Sequence, residues 1–123
     1  MTDIYTPNAP AAIGPYTQAK RNGNMLYTSG QIAIDPATGE LVEGGVREQT
    51  HRVCDNLKAI LEAAGTSLDK VVKTTCYLHD INDFKIFNAA YESYFKTKPA
   101  RSCIGGVDLP KGALVEIEVI ASN

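Results

Sequence analysis

The sequence predicts an α+β domain, a mixed sheet with two helices packed on one face. Two stretches alternate with a period of two and are rich in β-branched residues, Val71–Leu78 and Leu114–Ile120. Two others, Val46–Ala64 and Asp83–Lys96, place their apolar residues at helical spacing. The resulting order, β-β-α-β-α-β-β, lacks the strict alternation of a nucleotide-binding parallel sheet. A chain of 123 residues with 44% hydrophobic and 21% charged residues suits one domain spanning positions 1–123.

Taken in order, Pro7, Pro10, Gly14 and Pro15 make the first fifteen residues extended coil. Tyr16–Lys20 reads as a short strand and Asn22-Gly23-Asn24 as a hairpin turn. Met25–Ile34 reads as a strand with Leu26, Thr28, Ile32 and Ile34 on one face and Met25, Tyr27, Ser29, Gln31 and Ala33 on the other. Gly30 inside it signals a bulge or a close backbone approach. Asp35–Gly39 is a turn. In the first helix Val46, Val53, Cys54, Leu57, Ile60, Leu61 and Ala64 share a face, and Gly65 stops it. The second helix buries Phe84, Phe87, Tyr91, Tyr94 and Phe95, with Asn82 as its N-cap and Pro99 beyond its end. Arg101–Val107 is a short strand, Leu109–Gly112 a turn, and Leu114–Ile120 the last strand.

Helices covering Val115, Ile117 and Val119 leave Leu114, Glu116, Glu118 and Ile120 on the other face. A monomer would expose that half-apolar surface to water. The pattern therefore predicts an oligomer with sites at the rim that use residues of two subunits.

The net charge of −2 argues against nucleic acid as the main partner, because phosphate binding needs a cationic surface. No apolar run reaches the length of a membrane span, and the N-terminus lacks a basic stretch followed by an apolar one. Cys54, Cys76 and Cys103 are odd in number and lack a CxxC spacing, which predicts reduced thiols in a cytoplasmic protein. Glycine-rich phosphate loops and HExxH are absent, and neither His51 nor His79 has a partner at metal-ligand spacing.

The chemistry concentrates in two segments, Pro99–Ile104 and Leu114–Glu118. By the period of two, Arg101 and Cys103 share a strand face. Glu116 and Glu118 share another, about 7 Å apart at Cα in an extended strand. The pattern gives an anion clamp beside a proton-handling carboxylate, since the guanidinium fork takes a carboxylate through two hydrogen bonds. It also gives an ordinary cross-strand Arg–Glu pair on a solvated face, and spacing alone favours that pair.

The segments NAPAAIGPYTQA, LYTSGQIAIDPATGEL, VVKTTCYLHDINDFKIFNAAYESYF, PARSCIGG and LPKGALVEIEVIA, in this order from Asn8 to Ala121, resemble the RidA/YjgF family of enamine/imine deaminases. The resemblance implies a chorismate-mutase-like fold and a homotrimer with three clefts at its subunit interfaces. It implies hydrolysis of 2-imino and enamine acids such as 2-aminoacrylate, as in 2-iminobutanoate/2-iminopropanoate deaminase, to 2-keto acids and ammonia. No cofactor or metal is implied, because the substrate is already an imine. Carried over by position, Arg101 grips the substrate carboxylate and Glu116 handles the water. The Cys103 backbone lines the imine nitrogen, and Tyr16, Ser29 and Asn88 line the cleft. Glu118 has no role by the resemblance. The chain departs from common members at Gly105-Gly106, where bulkier residues often follow the cysteine, so the pocket's shape there is its own. The alternative function is a non-catalytic trimer that binds small acids and regulates.

Overall fold

The computed structural model describes all 123 residues. Eight strands and two α-helices follow the chain: β1 (Thr2–Ile4), β2 (Ala19–Asn22), β3 (Met25–Thr28), β4 (Ile34–Asp35), β5 (Glu40–Leu41), α1 (Val46–Ala63), β6 (Val71–Leu78), α2 (Phe84–Tyr91), β7 (Ala100–Ile104) and β8 (Val115–Ser122). Short 3₁₀ turns at Leu68–Lys70, Ile81–Asp83 and Pro110–Gly112 precede β6, α2 and β8. Six strands form one sheet in the order β1-β2-β3-β8-β6-β7, and β4 and β5 form a separate hairpin. Only β6 and β7 run parallel, joined by the α2 crossover; the other neighbours in the sheet are antiparallel. The α+β class with two helices on one face is what the sequence predicted.

The core lies between that face and the helices. Val53, Leu57, Ile60 and Leu61 of α1 and Phe87 and Tyr91 of α2 pack with Leu26, Cys76, Leu78, Val115, Ile117 and Val119 of the sheet. Each fully buried Leu, Ile or Phe contributes about 1.5–3 kcal/mol by leaving water. The α1 N-terminus is closed by Glu48, whose carboxylate accepts from the Gly45 amide at 2.9 Å. That hydrogen bond, foremost, lowers the Glu48 pKa.

Several expected elements are corrected. The first fifteen residues are not all coil, because Thr2–Ile4 adds an edge strand to β2. The Asp35–Gly39 turn closes a hairpin whose second strand, β5, was not expected. The second helix ends at Tyr91 rather than Lys96, and Asn82 does not cap it. Asp80 accepts from the Asn82 amide to cap the 3₁₀ turn before α2, and Asp83 holds the N-cap position of α2 itself. Phe84 is exposed instead of buried.

The Met25–Ile34 segment shows what Gly30 does. Regular pairing with β8 ends at Tyr27 and resumes as a single bridge between Gln31 and Ile117. The interruption shifts the alternation by one residue. Gln31 and Ala33 are buried, while Ile32 and Ile34, expected beside Leu26, turn to the other side. Asn56 of α1 pins the displaced segment by donating to the carbonyls of Ile32 and Ile34 at 3.3 and 2.9 Å.

No helix covers the far face of the sheet. The register places Glu116 opposite Tyr77, Glu118 opposite Thr75, and Ile120 opposite both Lys73 and Tyr27. Ile104, level with Tyr77, continues this surface onto β7, and Tyr27 and Ile104 are each 45% exposed.

Candidate active site

The sequence-predicted residues fall into two groups on opposite faces of the sheet. Arg101 and Cys103 are level with Thr74 and Cys76 of β6, both fully buried on the helix side. They therefore point toward α2. Glu116 lies on the uncovered face, two strands away, because β6 separates β7 from β8. The cross-strand Arg–Glu pair that spacing allowed does not form.

Around Arg101, α2 builds a cradle. Its Nη1 donates to Asn88 Oδ1 at 2.7 Å. The guanidinium carbon lies 4.9, 5.4 and 5.9 Å from the ring centroids of Tyr91, Phe84 and Phe87. Those contacts come from positions one turn apart on α2, so the helix period that buries Phe87 and Tyr91 also arranges Phe84 and Asn88. Phe84 stays exposed because it covers the cation rather than the core. Arg101 makes no salt bridge with any carboxylate of its chain. A guanidinium held by one amide and three rings keeps donors free for an anion. Cys103, half-buried beside it, has its thiol pKa raised by burial, with Arg101 pulling the other way.

On the opposite face, Glu116 enters a cavity of about 550 Å³. Tyr16, Ser29 and Gly30 line it, with Ile32 and Ile34 as apolar wall and Lys111 at the rim. The pKa of Glu116 is raised, mainly by burial and further by the charge of Glu118. The Ser29 hydroxyl is committed to the Thr17 carbonyl at 2.5 Å, and the Tyr16 hydroxyl accepts from the Ile13 amide at 3.5 Å. Tyr16, Ser29 and Glu116 thus share one cavity, and Asn88, Arg101 and Cys103 share the other site.

Sequence reasoning missed Gln18. It is buried, its Oε1 accepts from the Thr6 amide, and its Nε2 donates to the carbonyls of Thr6, Ala9 and Pro10 at 2.8–3.3 Å. It holds the N-terminal arm against the sheet, and Pro10, Ala11 and Ile13 of that arm complete the cavity wall. Three prolines in the arm signalled coil; nothing in them signalled a single glutamine binding it. Lys111 was also missed. It takes a left-handed φ of 59° in the turn before β8 and is the only cation lining the cavity.

The histidines stand apart from both groups. His51 Nδ1 lies 3.0 Å from the Tyr94 hydroxyl, and exposed His79 lies 3.7 Å from Asp108. No group of three or more His, Cys, Asp or Glu is placed to hold a metal ion, and no helix is long and apolar enough to cross a membrane.

The chain is 52% identical over 122 residues to the 2-iminobutanoate/2-iminopropanoate deaminase of Escherichia coli, covering 96% of this chain and 94% of that one. It is 51% identical to a Lactococcus lactis protein named as a candidate regulator, AldR, covering 98% and 97% of the two chains. A Thermotoga maritima structure solved as a candidate endoribonuclease superposes with a TM-score of 0.97 at 49% identity, over 100% of this chain and 98% of that one. The sequence pattern of the family described as endoribonuclease L-PSP matches residues 6–123. The three relatives differ in the activities their names give, and the solved one shares this fold. On that pattern, and on identities above one half along nearly its whole length, the chain belongs to the endoribonuclease L-PSP family, the RidA/YjgF proteins.

Proposed function

We propose that the protein hydrolyses reactive enamine and 2-imino acids, such as 2-aminoacrylate, to 2-keto acids and ammonia. In this reading it acts in the cytoplasm as a homotrimer whose clefts each join two subunits. One observation carries it. Arg101 is held without a carboxylate partner on one face of the sheet, while Glu116 stands in a cavity on the other. One chain cannot bring the two to one small molecule. A second copy packed on the uncovered face can, with its Arg101 edge facing the first copy's Glu116 cavity.

Arg101 then grips the substrate carboxylate, and Asn88 and the three rings fix its direction. The enamine takes a proton at its terminal carbon and becomes the imine. Protonated Glu116 gives its proton to the imine nitrogen as water adds to the C=N carbon and takes one back from that water, and the same exchange then expels ammonia from the resulting carbinolamine. Because free imines already hydrolyse in water, an acceleration of about 10³–10⁴, or ~4–6 kcal/mol, suffices. The reaction needs no cofactor in this reading. An RNA substrate fits less well, since the chain carries −2 net charge and the cavity presents a carboxylate with a single lysine.

The test generates 2-aminoacrylate in situ with excess dehydratase and follows its disappearance. Wild type accelerates the loss, Arg101→Ala and Glu116→Ala do not, and all three have the molar mass of a trimer by light scattering. Binding of a keto acid without turnover would instead support a regulatory protein. A monomer at micromolar concentration would overturn the shared cleft.

A further inference from the structure

We propose that Tyr77 and Glu118 form a positioning pair for Glu116: the Tyr77 hydroxyl fixes the Glu118 carboxylate beside Glu116, and that fixed charge makes Glu116 the carrier of the proton given to the departing nitrogen. The proposal rests on the deaminase reading and adds two residues to it.

The geometry starts from the strand period. Glu116 and Glu118 are next neighbours on the uncovered face of β8, both half-buried. Tyr77 of β6 is opposite Glu116 in the register, yet its hydroxyl donates to Glu118 Oε1 at 3.1 Å. The tyrosine therefore crosses diagonally from one glutamate to the other and links them. Without it, the Glu118 side chain would be free to turn away from Glu116, and its charge would act on Glu116 less.

Neither glutamate has a salt-bridge partner. The other titratable groups facing them are Tyr16 and Lys111, which share the Glu116 cavity, Lys73 and Tyr27, which both flank Ile120 one pair further along, and, in the proposed oligomer, Arg101 of the second copy, whose charge the substrate carboxylate takes up. With no cation of the same chain paired to either side chain, a like charge held on this face favours the protonated form of Glu116. Burial already acts in that direction, and the Glu118 charge adds to it. Donation to Glu118 in turn raises the Tyr77 pKa and keeps the phenol protonated.

The proton has a defined use. Once water has added, the tetrahedral carbon carries an OH and an NH₂. Protonated Glu116 gives its proton to nitrogen, and the C–N electron pair leaves with ammonia. The O–H electrons form the keto C=O, and the hydroxyl proton returns to Glu116. The carboxyl ends as it began, and no other reactant is consumed.

The experiment uses the purified oligomer as wild type, Glu118→Gln, Glu118→Asp and Tyr77→Phe. It measures kcat/KM for 2-aminoacrylate against pH and, separately, the Glu116 carboxyl midpoint by ¹³C NMR. Glu118→Gln moves both the alkaline limb and the midpoint to lower pH. Tyr77→Phe moves them the same way by less, and Glu118→Asp restores them toward wild type. Slower variants with unmoved limb and midpoint would reveal a merely structural role and overturn the proposal. Absence of turnover in wild type would overturn the deaminase reading and the catalytic role with it. Full wild-type turnover with an unmoved midpoint in Glu118→Gln overturns this proposal alone.

Discussion

The carboxylate of Glu116 lies where a side chain at Gly30 would begin. A methyl group on Gly30 would sit 2.9 Å from Glu116 Cδ and 3.1 Å from Cγ, and closer still to Oε2. Gly30 has no positive φ, so the position requires space rather than an unusual backbone. Gly30→Ala therefore leaves the fold intact and swings the flexible carboxylate out of place. We expect kcat/KM for 2-aminoacrylate to fall by about 10²-fold, the scale of a misplaced reacting group. Thermal unfolding should change little, and an unaltered rate would show that Glu116 needs no such placement.

Two faces of one sheet make the second prediction. Arg101→Ala and Glu116→Ala are each expected to be inactive. If the cleft takes Arg101 from one chain and Glu116 from its neighbour, co-refolding equal amounts of the two variants restores some sites. Random mixing leaves about one quarter of the clefts with both residues, so the mixture recovers about a quarter of the wild-type rate. A site complete within one chain would recover nothing.

Much of this was legible in the sequence, for reasons that differ by residue. The β8 alternation separated Val115, Ile117 and Val119 from Glu116 and Glu118, and the structure buries the first set and leaves the second half-exposed. That α1 would bury Val53, Leu57 and Ile60 followed from its period. Pairing was not legible. The period of two says which residues share a face of one strand, but not which strand lies next to it. The insertion of β6 between β7 and β8 is what puts Arg101 and Glu116 apart. Gly30 was readable as an irregularity, but the one-residue shift it causes, which turns Ile32 and Ile34 into the cavity, depends on Asn56 and Ile117 far along the chain.

The cysteines supply a third prediction. Burial pushes the Cys76 thiol up to about 12, and Cys54 is raised well above its ordinary value for the same reason. Cys103 is less buried, and burial raises it too. A thiol kept protonated is a poor nucleophile. We expect Cys103→Ala to retain turnover within about tenfold, as removal of a lining group rather than a reacting one would. In the native protein a thiol reagent should modify Cys103 slowly and the other two only after unfolding. Loss of activity comparable to that of Arg101→Ala would make the thiol part of the chemistry.

The last prediction concerns Gly105 and Gly106, neighbours with different reasons to be glycine. A methyl at Gly105 would lie 2.5 Å from Ile81 Cβ and 2.9 Å from its Cα, so the backbone itself would have to move. Gly106 has open space around it but a φ of 74°. Ile81 begins the turn that leads directly into Phe84, one of the rings over Arg101. Both alanine variants should lose about 1–3 kcal/mol of stability, from overpacking at Gly105 and from backbone strain at Gly106. Only Gly105→Ala should also displace the Arg101 cradle, raising KM for 2-aminoacrylate while Gly106→Ala leaves it near wild type. Comparing KM between two variants of matched melting temperature separates the effects. Equal KM values would mean that the Ile81 turn does not set the position of Arg101.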